Sequence, residues 1–501
     1  MSDEDDNFCD DTNGHDLDFP EAHRKQYKSS ALHETLKTTA GIAGNILEWY
    51  DFAVFGFFSD ILGLVFFPKD QPEDLSVMES FAVFGGAFLM RPIGGLVIGY
   101  IGDVSGRKRA LEISIFLMAI ATTLMGCLPT YKQIGGPAIL LLLMVRMLQG
   151  LSVGGQLMSS LVFTLEGRPR NRWGLYGSYV MSAGNFGTFL GGIVAYGLRS
   201  SLSMEQLLRW GWRIPFLSGI LISLCGIYLR FFCADDEMLA GHAPVSLPTD
   251  DVDDDRHQVV QSHAVQPPLA GAPLPESRVN PLRIAFSKEN RRSLLASALV
   301  PILWSGGFYI SFVWMAIYMQ DLIIPPVPAA FGINSSSLLL LVFWFPLAGM
   351  LSDVVGRKRI MTIGGIVFGA LGPIMILIIG HLGNGNSIWI AFCSQTALSI
   401  PLALWGAPMC AWLVEAFEPG ARLTSVSIGY NVAQAIAGGM SPFVATLLVD
   451  KVGTGAPGLL LLALAVLSLT GLLYVAPKQP IEQAHRSLEE AELSLELKEM
   501  T

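Results

Sequence analysis

The sequence predicts an all-α integral membrane protein whose twelve transmembrane helices form two six-helix bundles that are parallel repeats of one another. Three observations predict it: the composition, the even division of the apolar segments by one polar linker, and a motif that occurs once in each half. Of the 501 residues, 51% are hydrophobic and 15% are charged, with a mean hydropathy of +0.49. Soluble domains carry about 25% charged residues, and a soluble protein this apolar would lack the polar side chains to cover its surface. A bilayer favours such an exterior.

The apolar segments have the length that a membrane requires. A spanning helix needs about 20 largely apolar residues. Windows of that kind are centred on residues 40–66, 80–101, 110–129, 138–164, 173–198, 212–232, 293–319, 332–352, 360–380, 387–414, 424–449 and 456–476. Several of them contain Gly or Pro, which membrane helices tolerate when neighbouring groups satisfy the freed backbone.

Three polar segments divide the chain into five parts. We predict an acidic cytoplasmic tail at 1–38, an N-terminal bundle at 39–232, a cytoplasmic acidic and Pro-rich linker at 233–292, a C-terminal bundle at 293–476 and a cytoplasmic tail at 477–501. The linker is too rich in Pro, Asp and Ser to bury a core. The last tail has a short apolar stripe at heptad spacing, which favours a frayed amphipathic helix over a coiled coil and allows at most weak self-association.

The positive charges predict the orientation. If the N-terminus is cytoplasmic, the inside loops carry seventeen Lys and Arg residues and the outside loops carry six. Cytoplasmic loops carry the excess of positive charge in membrane proteins. The sequence therefore predicts that both tails and the linker lie in the cytoplasm, with the plasma membrane as the expected location and membrane lipids as the surroundings.

A twelve-residue motif occurs twice. GYIGDVSGRKRA begins at Gly99 and GMLSDVVGRKRI begins at Gly349, with seven of twelve positions identical. An acid at the end of one helix can hold the positive N-terminus of a neighbouring helix and a nearby Arg. We predict that such a latch gates the cytoplasmic side; the simpler alternative is that the basic residues only set topology. The predicted gating residues are Asp103, Gly106, Arg107, Asp353, Gly356 and Arg357.

Charged residues inside the apolar segments are few, and each is costly enough to suggest a cavity or a partner. Glu48 and Asp51 are three residues apart, hence on one helix face. Two neighbouring carboxylates in a low dielectric repel, so one of them can hold a proton near neutral pH. Arg146 can neutralise either acid or bind an anionic substrate, and Arg91 offers a second cation. The alternatives are that the acids merely position the first span and that Arg91 packs the second.

These residues resemble a known superfamily. The repeated G-x-x-x-D-x-x-G-R-K-R looks like the signature loop of the major facilitator superfamily, and residues 146–155 resemble its second motif. More narrowly, segments 44–57, 88–103, 211–220 and 415–448 are similar to the metabolite:H⁺ symporter family, which includes α-ketoglutarate, citrate, shikimate and proline/betaine permeases. The resemblance implies proton-coupled symport of a small polar metabolite by alternating access, with no cofactor other than the coupling proton.

One departure from the family weakens that expectation. The family usually has an acid after the Gly-Gly pair in the fourth span, whereas this chain has Gln156. A permanently neutral side chain cannot titrate, so an uncoupled facilitator is the alternative, and a substrate-sensing receptor built on a transporter fold is another. An enzyme is not expected, because no nucleophile motif, phosphate loop or metal-ligand cluster is present in the sequence. The net charge of −10 does not favour binding to nucleic acid.

Substrate contacts are expected on the inward faces of the spans. The predicted contact residues are Tyr50, Arg91, Asn185, Trp304, Tyr309, Trp405, Tyr430, Asn431 and Gln434. Asn431 and Gln434 are three residues apart in a helix of otherwise small residues, which suggests hydrogen bonding across a cavity. Two buried arginines favour a mono-, di- or tricarboxylate over a zwitterionic osmolyte such as betaine or proline.

Overall fold

The structure is a computed structural model, and it describes residues 45–46, 48–68, 73–166, 168–217, 280–382, 388–417 and 421–477. Helices make up almost all of these residues, and no strand is found among them. The two predicted tails, most of the predicted linker and the greater part of the sixth span lie outside the described residues.

The N-terminal half contributes helices α1 to α6. They are α1 (Glu48–Phe57 and Ser59–Phe66), α2 (Glu73–Leu89 and Arg91–Ser105), α3 (Arg107–Cys127), α4 (Pro137–Glu166), α5 (Trp173–Ser201) and α6, described over Arg213–Leu217. The two parts of α1 are bent by 68° at Phe58. Helix α4 begins with Pro137, whose fixed φ and missing N–H suit the first turn of a helix.

The C-terminal half contributes helices α7 to α12. They are α7 (Arg291–Leu322), α8 (Ala330–Val355), α9 (Arg357–Leu382), α10 (Ile388–Glu415), α11 (Arg422–Lys451) and α12 (Pro457–Val475). Helix α7 contains two π-helical turns, Tyr309–Trp314 near its middle and Tyr318–Leu322 at its end, and α11 contains one at Gln434–Gly438. We call Tyr309–Trp314 the wide turn of α7. Wide turns of this kind are frequent at functional sites.

The prediction of the fold class is confirmed. Within the described part of the chain, nine helices are long and apolar enough to cross a membrane, and the bent α1 makes a tenth. Helix α5 has 29 residues, but Gly, Ser and Asn lower its hydropathy, and only the start of α6 is described. Each described helix overlaps its predicted segment; of the sixth segment, only Arg213–Leu217 is described.

The end of the predicted linker differs from the expectation. It was expected to bury no core, yet residues Pro281–Ala285 form a short helix with Pro281 and Ala285 buried. The Asn280 side chain accepts a hydrogen bond from the Leu282 amide at 3.0 Å, and Pro281 occupies the first helical position. This N-terminal cap and the adjacent proline start a helix that composition alone does not predict.

The two bundles meet along two equivalent pairs of helices. Helix α2 packs against α11, and α5 packs against α8. The second contact is very close: a Cβ on Gly349 would lie 2.5 Å from the Gly174 carbonyl oxygen. At the far end of the same interface, the Arg199 guanidinium lies 4.5 Å from the Phe331 ring centroid. The bundles therefore touch at both ends, and the site described next lies between those contacts.

Candidate functional site

Four charged residues predicted from the sequence are buried in one region. Glu48 and Asp51 of α1, Arg91 of α2 and Arg146 of α4 are each at most 2% exposed. Glu48 is within electrostatic range of Arg91 and Asp51, and Asp51 is within range of Arg146. Two acids and two bases thus face one another, so the buried cluster carries no large net charge when all four are ionised.

Gln149 connects Asp51 to Arg146. Its amide nitrogen donates a hydrogen bond to Asp51 Oδ2 at 2.7 Å, and its amide oxygen accepts one from Arg146 Nη1 at 2.8 Å. The same nitrogen lies 3.3 Å from the Thr122 hydroxyl. Arg146 comes no closer than 4.0 Å to any described carboxylate, because the amide stands between the two charges. The sequence prediction that Arg146 neutralises an acid stays open, but the contact is bridged.

Arg91 is held by aromatic rings. Its guanidinium carbon lies 4.0 Å from the centroid of Phe88 and 4.6 Å from that of Phe52. Within the described residues no carboxylate lies within 4.0 Å of it. A guanidinium stacked on ring faces still presents its planar set of donors. Arg91 is therefore available to a carboxylate brought by a ligand.

An aromatic cluster from both bundles surrounds Arg91. The Trp49 and Tyr309 rings stack with centroids 6.3 Å apart and an interplanar angle of 13°. Tyr309 also makes T-shaped contacts with Phe88 and Phe84, with ring centroids 5.1 and 5.7 Å apart. Trp49 and both phenylalanines belong to the N-terminal bundle, whereas Tyr309 belongs to α7. The bundles thus contact each other through ring faces at this point.

Tyr430 and Gln434 complete the site from α11. The Gln434 amide nitrogen donates to the Tyr430 hydroxyl at 2.6 Å. Gly438 follows on the same helix, and a Cβ there would lie 2.6 Å from Gln434 Oε1 and 3.1 Å from Phe88. Glycine therefore lets this helix approach the aromatic cluster.

Several buried polar atoms in this region make no hydrogen bond to the described part of the chain. They are both carboxylate oxygens of Glu48, Oδ1 of Asp51, Nε of Arg91, Nε and Nη2 of Arg146, Nε1 of Trp49 and Oε1 of Gln434. Buried polar groups are nearly always paired. A group of unpaired donors and acceptors beside two buried cations is what a polar ligand and a transferable proton require.

The other predicted contact residues lie at different places. The Tyr50 hydroxyl reaches the Pro215 carbonyl oxygen of α6 at 3.5 Å. Asn185 is buried in α5, and its amide makes no hydrogen bond with a described residue. Trp304 packs on Phe345 with centroids 5.3 Å apart, and Trp405 covers Gly365 of α9. Among the C-terminal residues, Tyr309 contacts the aromatic cluster, Tyr430 lies within electrostatic range of Arg91, and Gln434 bonds Tyr430.

Asn431 lies at the interface between the bundles. Its amide nitrogen donates to the Gly154 carbonyl oxygen of α4 at 2.5 Å and to the Ser427 carbonyl oxygen at 2.7 Å. Both donors of the amide are therefore directed at helix backbone. This arrangement ties α11 to the N-terminal bundle, a use of a mid-helix asparagine that the sequence did not distinguish from substrate binding.

Gln156 is buried in α4, and its amide oxygen has no hydrogen-bond partner among the described residues. It lies seven residues, two helical turns, beyond Gln149 on the same face of α4. An amide at this place adds no charge to the two acids and two bases of the cluster.

The second copy of the repeated motif holds the N-terminus of α5. Asp353 accepts hydrogen bonds from the backbone amides of Gly174 and Leu175 at 2.8 and 2.9 Å. Arg357 donates to Asp353 Oδ1 at 2.8 Å and to Glu415 Oε1 at 2.7 Å. The first turn of a helix offers unpaired amides and a positive dipole end, so a carboxylate binds there favourably.

The first copy makes the equivalent contact with the other bundle. Asp103 accepts from the Thr424 backbone amide at 2.8 Å and from its hydroxyl at 2.5 Å. Nearby, Arg422 and Glu166 form an ion pair at 3.0 Å across the same interface. Each motif aspartate therefore binds the first turn of a helix in the opposite bundle. The side chain of Arg107 lies outside the described part of the structure.

Gly106 and Gly356 form the turns between paired helices. Their φ angles are +100° and +104°, a region that side chains other than glycine rarely adopt. No atom lies within 4 Å of a Cβ built on either residue. The backbone angle, and not a lack of space, therefore requires glycine here.

Sequence reasoning missed several members of the central site. Gln149 was quoted as part of a motif but not as a coupling residue, although its place three residues after Arg146 puts it on the same helix face. Phe52 and Phe88 were not named at all. Phe52 lies four residues, about one turn, after Glu48, and Phe88 lies three residues before Arg91; these spacings place each ring on the helix face of a charged residue.

Two repeated bundles, a signature loop in each and a buried charged site between them define a transporter of the major facilitator class. The family described as Sugar (and other) transporter matches residues 36–236. The proline/betaine transporter of Salmonella typhimurium strain LT2 is 30% identical over 417 residues, which cover 82% of this chain and 77% of that protein. The glycine betaine/proline/ectoine/pipecolic acid transporter OusA of Dickeya dadantii is 30% identical over 440 residues, covering 87% and 82%.

A solved structure shares the fold. The proton:xylose symporter XylE of E. coli superposes with a TM-score of 0.66 at 18% identity, covering 89% of this chain and 96% of that one. The present chain therefore belongs to the major facilitator superfamily, as a member of the family that contains the proline/betaine transporters. It is an integral, multi-pass membrane transporter and not an enzyme.

Proposed function

We propose that the protein takes up a small zwitterionic solute with a single carboxylate, together with a proton, by alternating access. The observation that carries this proposal is Arg91, a buried cation stacked on Phe52 and Phe88 with no described carboxylate within 4.0 Å. An Arg in this setting favours a planar anion, which it can bind through two parallel hydrogen bonds.

The substrate class is inferred from the different contacts that Arg91 and Arg146 make. The sequence offered both of them to the cargo and so favoured carboxylates with one to three charges. In the structure, Arg146 is joined to Asp51 through Gln149, whereas Arg91 has no such link to an acid, so we assign the single carboxylate of the solute to Arg91. This supports the zwitterionic alternative over di- and tricarboxylates.

The aromatic cluster suits the other end of such a solute. A quaternary or protonated amine is attracted to the faces of Trp and Tyr rings. Trp49 and Tyr309 stack on each other, and Tyr309 lies within electrostatic range of Arg91, so carboxylate and amine can bind within one site. The relatives named above transport proline, betaines, ectoine and pipecolic acid, each of which combines a carboxylate with a nitrogen centre.

For the coupling proton, we assign Asp51 and Glu48. Both are buried, and three of their four carboxylate oxygens make no hydrogen bond with a described residue. Protonation of Asp51 would remove the negative charge that accepts the hydrogen bond from Gln149. It would thus weaken the chain of hydrogen bonds from Asp51 through Gln149 to Arg146, which holds α1 against α4. Glu48, within electrostatic range of Arg91, links this event to the substrate site.

We further propose that the signature loops form the cytoplasmic gate, with both tails and the linker on that side and the plasma membrane as the location. The excess of Lys and Arg supports this orientation. The contacts of Asp103 and Asp353 close that end of the interface, and they must separate before the solute leaves toward the cytoplasm.

The test is uptake of radiolabelled glycine betaine, proline, α-ketoglutarate and citrate into proteoliposomes, with and without an imposed proton gradient. The proposal predicts gradient-driven accumulation of betaine or proline and little uptake of the dicarboxylate and tricarboxylate. Accumulation of citrate or α-ketoglutarate instead would contradict the substrate class, and binding without flux would point to a receptor.

An uncoupled facilitator is the second candidate, and one observation favours it. Gln156 is neutral at a place where related transporters usually carry an acid, and it is buried near the coupling cluster. A facilitator would equilibrate the solute equally well with or without the gradient. The matched variant Gln156→Glu then serves as a gain-of-coupling control in the same assay.

A further inference from the structure

The wide turn of α7 has carbonyl groups that receive side-chain donors. A π-helical turn shifts the backbone hydrogen bonds of the helix by one residue, and nearby carbonyls need other partners. In Tyr309–Trp314, the Ser311 and Phe312 carbonyl oxygens lie within this turn. The whole segment is buried, so donors must come from neighbouring helices.

Two amide side chains supply these donors. Gln395 of α10 donates to the Ser311 carbonyl oxygen at 2.8 Å, and Asn334 of α8 donates to the Phe312 carbonyl oxygen at 2.9 Å. Gln395 also donates to Asn334 Oδ1 at 2.5 Å. Both side chains are 0% exposed. The three contacts form a closed triangle that joins α7, α8 and α10 at the wide turn.

Tyr309 begins this turn and extends toward the opposite bundle. Its ring stacks on Trp49 and meets the edge of Phe88, the ring on which Arg91 rests. Arg91 of the opposite bundle lies close to the Tyr309 hydroxyl, and no described side chain of the C-terminal bundle forms a hydrogen bond with that hydroxyl. Within its own bundle, the direction of the ring therefore depends on the backbone from which it leaves α7.

We propose that Gln395 and Asn334 are positioning residues for the substrate site, which act by holding the wide turn of α7 so that Tyr309 faces Trp49 and Arg91. Neither residue touches the solute. The inference rests on the proposed function in one respect, since it treats Tyr309 as part of the solute site.

The first experiment measures the position of Tyr309 directly and needs no substrate. 3-Fluorotyrosine is incorporated at residue 309, and its ¹⁹F resonance reports the ring current of the stacked Trp49. Gln395→Met, close in volume to the amide, is expected to shift or broaden this signal. Ser337→Ala is the matched control, because the Ser337 hydroxyl bonds Thr396 at 3.1 Å between the same α8 and α10 and makes no described hydrogen bond to the wide turn. An unchanged resonance in Gln395→Met, or an equal change in Ser337→Ala, overturns the inference.

The second experiment separates positioning from a purely structural role. Gln395→Met is expected to raise the KM for betaine roughly five- to tenfold, about what the loss of one buried hydrogen bond supports, with Vmax per folded molecule kept within about twofold. The double variant Gln395→Met with Tyr309→Leu is expected to match Tyr309→Leu alone, since residues that act through one another are not additive. A lower Vmax with unchanged KM, or additive KM effects, contradicts the inference. If wild-type protein transports no zwitterion, the proposed function fails, while the ¹⁹F result still decides the positioning of Tyr309.

Discussion

Replacing Arg91 with Lys tests the substrate site most sharply, because it keeps the positive charge. Lys retains the electrostatic attraction but loses the planar fork that binds a carboxylate through two hydrogen bonds. It also loses the guanidinium contacts with the Phe88 and Phe52 rings, now at 4.0 and 4.6 Å. A hydrogen bond to a charged group contributes about 1.5–3 kcal/mol. The ring contacts exist before the solute binds, so their loss acts on the orientation of the side chain and not directly on the binding free energy. With one of two hydrogen bonds lost, we expect a loss of about 2–3 kcal/mol in binding.

That loss corresponds to a rise of about 30- to 150-fold in the Kd for glycine betaine. Isothermal titration calorimetry on detergent-purified protein measures it. Arg213→Lys is the matched control, because Arg213 also stacks on a ring, with 4.4 Å to the Trp212 centroid, and donates to two backbone carbonyls away from the central site. A change of less than threefold in folded Arg91→Lys protein, or the same change in the control, would refute the assignment.

Three further predictions concern the gate, the turn and the relay. Gly356→Ala should lower the free energy of unfolding by about 1–3 kcal/mol, since φ is +104° there. Thermal unfolding checks this against Gly197→Ala, where the added Cβ meets no atom within 4 Å. Equal melting temperatures of the two variants would contradict the prediction. Asp353→Asn should weaken the binding of Asp353 to the N-terminus of α5 and so speed maleimide labelling of Cys410. This thiol is buried where α10 contacts Gly177 of α5, and it is labelled in a variant that keeps only this cysteine. An unchanged labelling rate would count against the latch. Gln149→Leu should abolish proton-driven accumulation while leaving solute exchange measurable by counterflow, and retained accumulation would remove Gln149 from the coupling path.

The fold was predictable because a membrane-spanning helix needs about 20 apolar residues, and segments of that length can be read directly from the sequence. Twelve apolar segments, one polar linker and a duplicated loop leave little choice of architecture. The helix Pro281–Ala285 was missed because its cap is local, whereas the composition of the surrounding linker dominated the prediction.

The site was predictable in its charges and less so in its contacts. Buried charges are costly, so the few that occur inside apolar segments mark a functional region, and the structure gathers Glu48, Asp51, Arg91 and Arg146 there. Their partners depend on how the helices are rotated, which the sequence does not state. Gln149 therefore appeared only as part of a motif, and Asn431 could not be recognised as a contact between bundles.

The wide turns were beyond sequence reasoning for a different reason. The turn at Tyr309–Trp314 is held by Gln395 and Asn334, which lie far along the chain in other helices. Local propensity contains no signal for such a long-range hydrogen bond. The residues that point into the site could be proposed from the sequence, but the backbone that directs them could not.

The central claim, that solute and proton move together through Asp51, is tested by measuring proton flux during betaine uptake. Proteoliposomes without an imposed gradient are given glycine betaine, and a pH-sensitive dye follows the external medium. We predict that wild-type protein makes the medium more alkaline as betaine enters, and that Asp51→Asn still exchanges betaine by counterflow but moves no protons and does not accumulate betaine against a pH gradient. Proton movement and accumulation at the wild-type level in Asp51→Asn would contradict the account.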